Sequence, residues 1–200
     1  LIMQTDFDGA EAAALRSIEV RETLLEQHPE SDVLQAGIAA SQHSLAAVYM
    51  ETERLEDAIA RFRAARERLS QLADQHPDVL DYQFDVLAAT MSIAQSLYLL
   101  DRRAESATEN NDAIEILKRL VAAAPDSVRF HRCIAQSFRL RGELQRMSGD
   151  HAAAAAAYDE AIASYRLTVE RQPGFIKDLA ECELTAADLH AACNEHSVSE

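Results

Sequence analysis

Arginines recur on one stretch of an otherwise acidic chain. They lie between residues 126 and 147, as Arg129, Arg132, Arg139, Arg141 and Arg146. Arg132, Arg139 and Arg146 are seven residues apart, so on a helix they form one stripe, and Glu143 lies between the last two. Guanidinium groups bind carboxylates and phosphates through paired hydrogen bonds. The stripe could grip an acidic, phosphorylated or C-terminal peptide end. Alternatively, it could pair with Asp81 and Asp85 of a neighbouring helix.

Histidine and cysteine recur near the end of the chain, at His190, Cys193 and His196. A structural zinc site needs four ligands that converge on one point, and the fourth is missing unless Cys182 or Glu183 reaches in. We therefore predict no metal site. The sequence also lacks a phosphate-binding loop, G-x-S-x-G and H-E-x-x-H, so no catalytic residue and no cofactor are predicted.

The net charge of the chain constrains its partners. With 34 Asp and Glu against 19 Lys and Arg, the 200 residues carry a formal charge of -15. Nucleic-acid binding requires a basic surface that releases counterions, so the charge argues against it. A basic or amphipathic protein is the partner that this charge attracts.

Cysteine usage and hydropathy indicate the compartment. Cys133, Cys182 and Cys193 form neither an even set nor a C-x-x-C motif, which favours free thiols in a reducing, cytoplasmic environment. No apolar run reaches the roughly 18 residues of a membrane helix, so no membrane association is predicted. The chain begins at Leu1 without an initiating Met, and we expect it to be an excised piece of a larger protein.

Four prolines divide the chain at a constant interval. Pro29, Pro77, Pro125 and Pro173 are each 48 residues apart, which is typical of a stacked repeat. Each follows a helical pattern that proline cannot continue. Five Gly and four Pro are too few for an all-β chain, so the fold class is all-α. We predict eight antiparallel helices, at residues 6–27, 31–51, 55–75, 78–100, 102–123, 126–147, 151–171 and 175–194.

Small and aromatic residues repeat with the same period. In the stretch Arg141 to Tyr165 they are Gly142, Ala154, Tyr158 and Ala161, and Gly149 is the turn residue between the two helices. Shifting by 48 residues gives Ala46, Ala58, Phe62 and Ala65, and an intermediate copy has Ala94, Ser106, Asn110 and Ala113. Such residues let two helices approach closely while the aromatic ring fills the space between them. Because Asn110 replaces the aromatic residue, we expect its helix to pack less tightly or to face another partner.

This pattern resembles the tetratricopeptide repeat (TPR), in a long-period form found in large bacterial proteins that often carry a serine/threonine protein kinase domain. The resemblance implies an α-α superhelix, a TPR-like solenoid. It also implies one repeat array over residues 1–200, with half repeats at 1–28 and 173–200 and full repeats at 29–76, 77–124 and 125–172. Kinase signatures are absent from this sequence, so any kinase activity belongs to another part of the parent protein.

In such arrays the first helix of each pair lines a concave groove. By position in the repeat, the resemblance assigns to the groove His43, Met50, Met91, Gln95, Tyr98, Gln136, Arg139, Glu143 and Arg146. Methionine, tyrosine and arginine suit adaptable contact surfaces. The alternative is that apolar groove positions such as Met91, Leu99 and Met147 simply pack between helices.

Three functions follow as hypotheses. The first is a non-enzymatic scaffold that binds a protein or peptide in its groove, as a fragment of a larger bacterial regulatory or signalling protein. The second is self-association into a homodimer through uncovered ends of the array. The third is a helical enzyme or small-ligand binder, which would require a deep pocket with converging titratable groups.

Overall fold

The computed structural model describes residues 6–198, with side chains for residues 6–194, and every regular element in that range is helical. The predicted all-α class is therefore confirmed. The helices are α1 Phe7–Gln27, α2 Asp32–Glu51, α3 Leu55–Gln75, α4 Leu80–Leu99, α5 Arg103–Ala123, α6 Val128–Met147, α7 His151–Val169 and α8 Ile176–Val198. A short 3-10 helix, Pro173–Phe175, precedes α8. None of the described helices is both long and apolar enough to cross a bilayer.

The evenly spaced prolines lie at the junctions between helices, as predicted. At the first junction the His28 N–H donates to the Leu24 carbonyl at 3.0 Å, and the Ser31 N–H donates to the His28 carbonyl at 3.1 Å. The same two backbone bonds recur around His76, Ala124 and Gln172, each one residue before a proline. Because proline has no N–H to continue the helix, the chain turns at the same place every time.

The turns inside each helix pair repeat as well. Glu53, Asp101 and Gly149 are 48 residues apart and have φ angles of 60°, 58° and 84°. In the first turn the Arg54 N–H donates to the Tyr49 carbonyl at 2.8 Å, which is the bond that closes a Schellman cap. Gly149 was identified from the sequence as a turn residue, whereas Glu53 and Asp101 adopt the left-handed region despite having side chains.

Most predicted helix ends agree with the structure to within two residues. The exception is α8, which was predicted to end at residue 194 and continues to Val198. No glycine or proline follows residue 194, so nothing in the local sequence stops the helix there. At the other end of this segment, Pro173 begins the 3-10 turn that leads into α8.

Contacts divide the chain into two compact units, Leu1–Glu109 (unit 1) and Asn110–Glu200 (unit 2), with the boundary inside α5. In unit 1, α2 packs against α1 and α3, and α3 packs against α4. Short connections make these packed neighbours antiparallel. Phe62 is 1% exposed and lies in a core with Ala46 and Ala58, which confirms the small and aromatic packing positions of this pair.

In unit 2, α7 packs against both α6 and α8. Tyr158 is buried, and its ring lies so close to Gly142 of α6 that a methyl group there would be 2.8 Å from two ring carbons. Of the two expectations for Asn110, looser packing is not seen at its own side chain. Its side chain is 2% exposed, and its amide donates to the Ser137 carbonyl at 2.9 Å. A satisfied buried amide replaces the aromatic ring at this position.

Candidate functional site

The nine groove positions assigned from the sequence are all accessible. His43, Met50, Met91, Gln95, Tyr98, Gln136, Arg139 and Glu143 are half-buried, and Arg146 is exposed. Residues of the same helices that face the core, such as Leu45 and Leu97, are fully buried. Leu99 is 52% exposed, which rules out the alternative that it packs between helices. Met50 does touch the core of unit 1 with part of its side chain.

Unit 1 contains a pocket of about 280 Å³ that includes one of these positions. Four alanines line it, namely Ala36, Ala39 and Ala40 of α2 and Ala88 of α4. Leu69 of α3 and the polar residues His43, Ser44 and Asp85 complete the lining. The volume lies just below the roughly 300–1,000 Å³ that is typical of small-molecule sites.

Packing fixes the ring of His43 at this pocket. The imidazole meets the Phe62 ring edge to face, with ring centroids 4.8 Å apart. Burial lowers the pKa of His43 below its ordinary value, because removal from water disfavours the charged imidazolium. At neutral pH the ring is therefore uncharged, and it presents both an apolar face and polar nitrogens.

The two helices on either side of the pocket carry no Lys or Arg. Their charged residues are Asp32 and Glu51 of α2 and Asp81 and Asp85 of α4. Unit 1 as a whole has 20 Asp and Glu against nine Arg and no Lys. The surface formed by α2 and α4 thus combines apolar side chains with carboxylates.

Arginines of α3 are close in sequence to Leu69 but have partners of their own. The Arg68 guanidinium donates to the Gln35 amide oxygen at 2.7 Å and pairs with Glu22. Arg66 forms a bidentate pair with Glu109. The two arginines of α3 that lie nearest to Leu69 in sequence are therefore already paired.

In unit 2, two of the assigned positions form an ion pair with each other. The Arg146 guanidinium lies 2.8 Å from a Glu143 carboxylate oxygen, and the Tyr158 hydroxyl donates to the other oxygen. Burial alone would raise the pKa of Glu143. The hydrogen bonds from Tyr158 and Arg146 outweigh it, so this pKa is lowered. The carboxylate is therefore ionised and held in place.

Arg139 also has partners inside unit 2. It interacts with the Tyr165 hydroxyl on α7 and with the charge of Asp178 on α8. Burial raises the pKa of Tyr165 to about 12, although the nearby guanidinium acts in the opposite direction. Arg132 lies over the Phe175 ring, 5.6 Å from its centroid. The arginine stripe thus makes several internal contacts. Pairing with Asp81 and Asp85 stays a prediction.

The other candidate residues have structural contacts. His190 lies 3.1 Å from an Asp159 carboxylate oxygen. Among the residues whose side chains are described, no group of three or more His, Cys, Asp and Glu could hold a metal, and the side chain of His196 lies outside that range. Cys133 and Cys182 are buried free thiols, and burial raises the pKa of Cys182 to about 11.

Sequence reasoning missed most of the pocket. Ala36, Leu69 and Asp85 were not assigned to any site, and Asp85 was considered only as a partner of the arginine stripe. One signal was present in the sequence, since residues 31–51 and 78–100 contain carboxylates and no Lys or Arg. That composition on two first helices indicates a surface with one sign of charge.

Comparisons with known proteins identify no family. No protein-family model matches the chain, and no curated protein matches it. Among solved structures, the crystal structure of BtubC (BKLC) from P. vanneervenii aligns with a TM-score of 0.44 at 15% identity, over 96% of this chain and 93% of that one. Similarity at this level bears on neither site nor function.

Proposed function

We propose that the chain is a non-enzymatic scaffold of the tetratricopeptide type that binds a protein or peptide through the first helices of its pairs. In this proposal it serves as part of a larger cytoplasmic regulatory protein of a bacterium. The helix pairs, their 48-residue period and their small and aromatic packing positions support the repeat type.

One observation carries the binding function. The groove positions of α2 and α4 combine methionine, tyrosine, glutamine and histidine side chains that are all accessible to solvent, while the core side chains next to them are fully buried. Accessible methionine and aromatic groups provide contact area that adapts to a partner. The lining of the pocket next to these positions is mostly alanine and leucine, which supports a role in binding.

The proposal can be tested with the immobilised chain and two surface variants. Partners captured from a bacterial extract would be identified by mass spectrometry, and their affinities measured after purification. We expect Met91→Ala with Tyr98→Ala to weaken binding of a captured partner at least tenfold, because accessible aromatic side chains dominate interface energies. The control is Glu67→Ala on α3, an exposed position outside the groove.

Equal affinity of the groove variant and the wild-type protein would contradict the proposal. Repeating the affinity measurement at high salt separates the charged from the apolar contribution to binding. Binding that weakens at high salt indicates that charged side chains such as Arg139 or Asp85 contribute. Binding that does not change with salt indicates that the apolar positions provide the affinity.

Self-association is the second candidate, and exposed apolar side chains favour it. On α1 these are Leu15, Val20 and Leu24, which are between 40% and 52% exposed. Apolar side chains grouped on one helix are a common feature of interfaces between copies. Light scattering over a range of concentrations tests this candidate, since a strict monomer excludes it.

A further inference from the structure

The pocket of unit 1 combines an apolar wall with a carboxylate. Ala36 and Ala40 of α2 and Ala88 of α4 present methyl groups to the space, and Leu69 adds a larger apolar surface. Asp85 contributes the carboxylate in the lining. A side chain that complements both features needs a long aliphatic stem and a positive end. Lysine and arginine have that structure, because their methylene stems bury against apolar surface while the charge stays at the tip.

The charges around the pocket fit such an occupant. The flanking helices α2 and α4 have four carboxylates and no Lys or Arg, and the imidazole of His43 is uncharged at neutral pH. Arg68, on the helix that provides Leu69, is held by Gln35 and Glu22. Asp85 already has an interaction of its own, but a carboxylate can accept about four hydrogen bonds and so can receive an ammonium group as well.

We propose that this pocket receives the side chain of a lysine or arginine from a basic, partly apolar peptide segment of the partner. The inference rests on the proposed scaffold function and specifies the chemistry of its ligand. The aliphatic stem lies along the alanine wall, the charged end meets Asp85, and apolar neighbours of the basic residue contact Met91 and Tyr98 on α4. The excess of carboxylates in unit 1 draws such a segment to this surface.

The probe is a fluorescein-labelled peptide of alternating leucine and lysine, measured by fluorescence anisotropy with the full chain. Matched peptides carry glutamine or glutamate in place of lysine. We expect the lysine peptide to bind about three- to fivefold more tightly than the glutamine peptide, since an ion pair at the solvent-exposed Asp85 contributes up to about 1 kcal/mol. The glutamate peptide should not bind measurably.

Two variants locate the binding to the pocket. Asp85→Asn should weaken binding of the lysine peptide about three- to fivefold and leave binding of the glutamine peptide unchanged. The matched control is Asp81→Asn, which removes the same charge from the same helix outside the pocket and should change affinity by less than about twofold. Ala88→Leu fills the space and should weaken the lysine peptide about tenfold, and an unchanged circular dichroism spectrum shows that the variant is folded.

Several results would overturn the inference. One is an equal loss from Asp81→Asn and Asp85→Asn, which would indicate general attraction between charges. Another is a lysine peptide that binds no better than the glutamine peptide, or that does not bind at all. Suppose that Tyr98→Ala weakens the binding of every peptide while Asp85→Asn and Ala88→Leu change the binding of none. The pocket is then not the binding site, but the scaffold function is still supported. If captured partners also bind the groove variant as tightly as the wild-type protein, the scaffold function itself is contradicted.

Discussion

Replacing Gly142 by alanine tests the close approach of α6 and α7. A methyl group at this position would lie 2.8 Å from two carbons of the Tyr158 ring and 3.3 Å from a third. The ring has no room to retreat, because it is 1% exposed and its hydroxyl donates to Glu143. Either the helices or the ring must shift to make space.

Two opposing effects determine the expected change in stability. Alanine in place of glycine inside a helix stabilises by about 1 kcal/mol. Overpacking a buried contact typically costs about 1–3 kcal/mol. With contacts this short to an enclosed ring, we expect the second effect to exceed the first. Gly142→Ala should therefore lower the free energy of unfolding by up to about 2 kcal/mol.

Gly37→Ala provides the matched control. There a methyl group would meet the Arg21 side chain, 2.7 Å from its Nε atom and 3.0 Å from its Cδ atom. The Arg21 side chain donates to the Ser17 carbonyl at 3.3 Å and to the Ser41 hydroxyl at 3.1 Å, so it moves aside only by adjusting these bonds. This cost offsets the gain from alanine, and the variant should lie within about 1 kcal/mol of the wild-type protein. Urea unfolding followed by far-UV circular dichroism measures both variants.

A stability of Gly142→Ala equal to or above that of the wild-type protein would refute the reasoning. A double variant adds a second check. In the background of Tyr158→Leu, which removes the ring, the extra loss caused by alanine at position 142 should disappear, because residues in contact show coupling energies. If the two losses simply add, the ring is not the group that opposes the methyl.

Three further predictions concern other parts of the chain. Gly149→Ala should destabilise by about 1 kcal/mol, because only glycine adopts its φ of 84° without strain, whereas Glu53→Gly should be neutral or stabilising in the same urea assay. Burial lowers the pKa of His43 in the folded state, so the unfolded state binds the proton first, and stability should fall as the pH drops below 6.5. This loss should be smaller in His43→Gln, and an identical pH profile of the two proteins would speak against a buried imidazole. An aromatic disulfide reagent should modify Cys193, which is partly exposed, in the native protein, and should modify Cys182, with its pKa raised to about 11, only after unfolding. Rapid native modification of Cys182 would be inconsistent with its position in the core.

The helices and their junctions could be predicted from the sequence because their causes are local. Proline cannot continue a helix beyond its first turn, so the residues around Pro29 and Pro77 determine the breaks without any knowledge of the fold. The packing of Phe62 and Tyr158 could be predicted for a related reason. A small, large and small order at helical spacing specifies which side of a helix meets its neighbour.

The pocket could not be predicted in the same way. It depends on Leu69 of α3 and Asp85 of α4 coming close to α2, and such proximity between helices has no signature within either one. The partners of Arg139 are a similar case, since Tyr165 and Asp178 lie on two other helices. A stripe of arginines indicates a potential anion site, but only the packing brings the Tyr165 hydroxyl and the charge of Asp178 near Arg139.

The turns at Glu53, Asp101 and Gly149 have a consequence for recognising distant relatives of this chain. Glutamate, aspartate and glycine are chemically dissimilar, so a sequence alignment would not recognise the three turns as equivalent. Their φ angles are all positive, in the left-handed region, and the capping bonds join backbone atoms alone. The backbone thus keeps the 48-residue period at positions where the side chains differ. A search by backbone conformation would find copies of this unit that a sequence alignment misses.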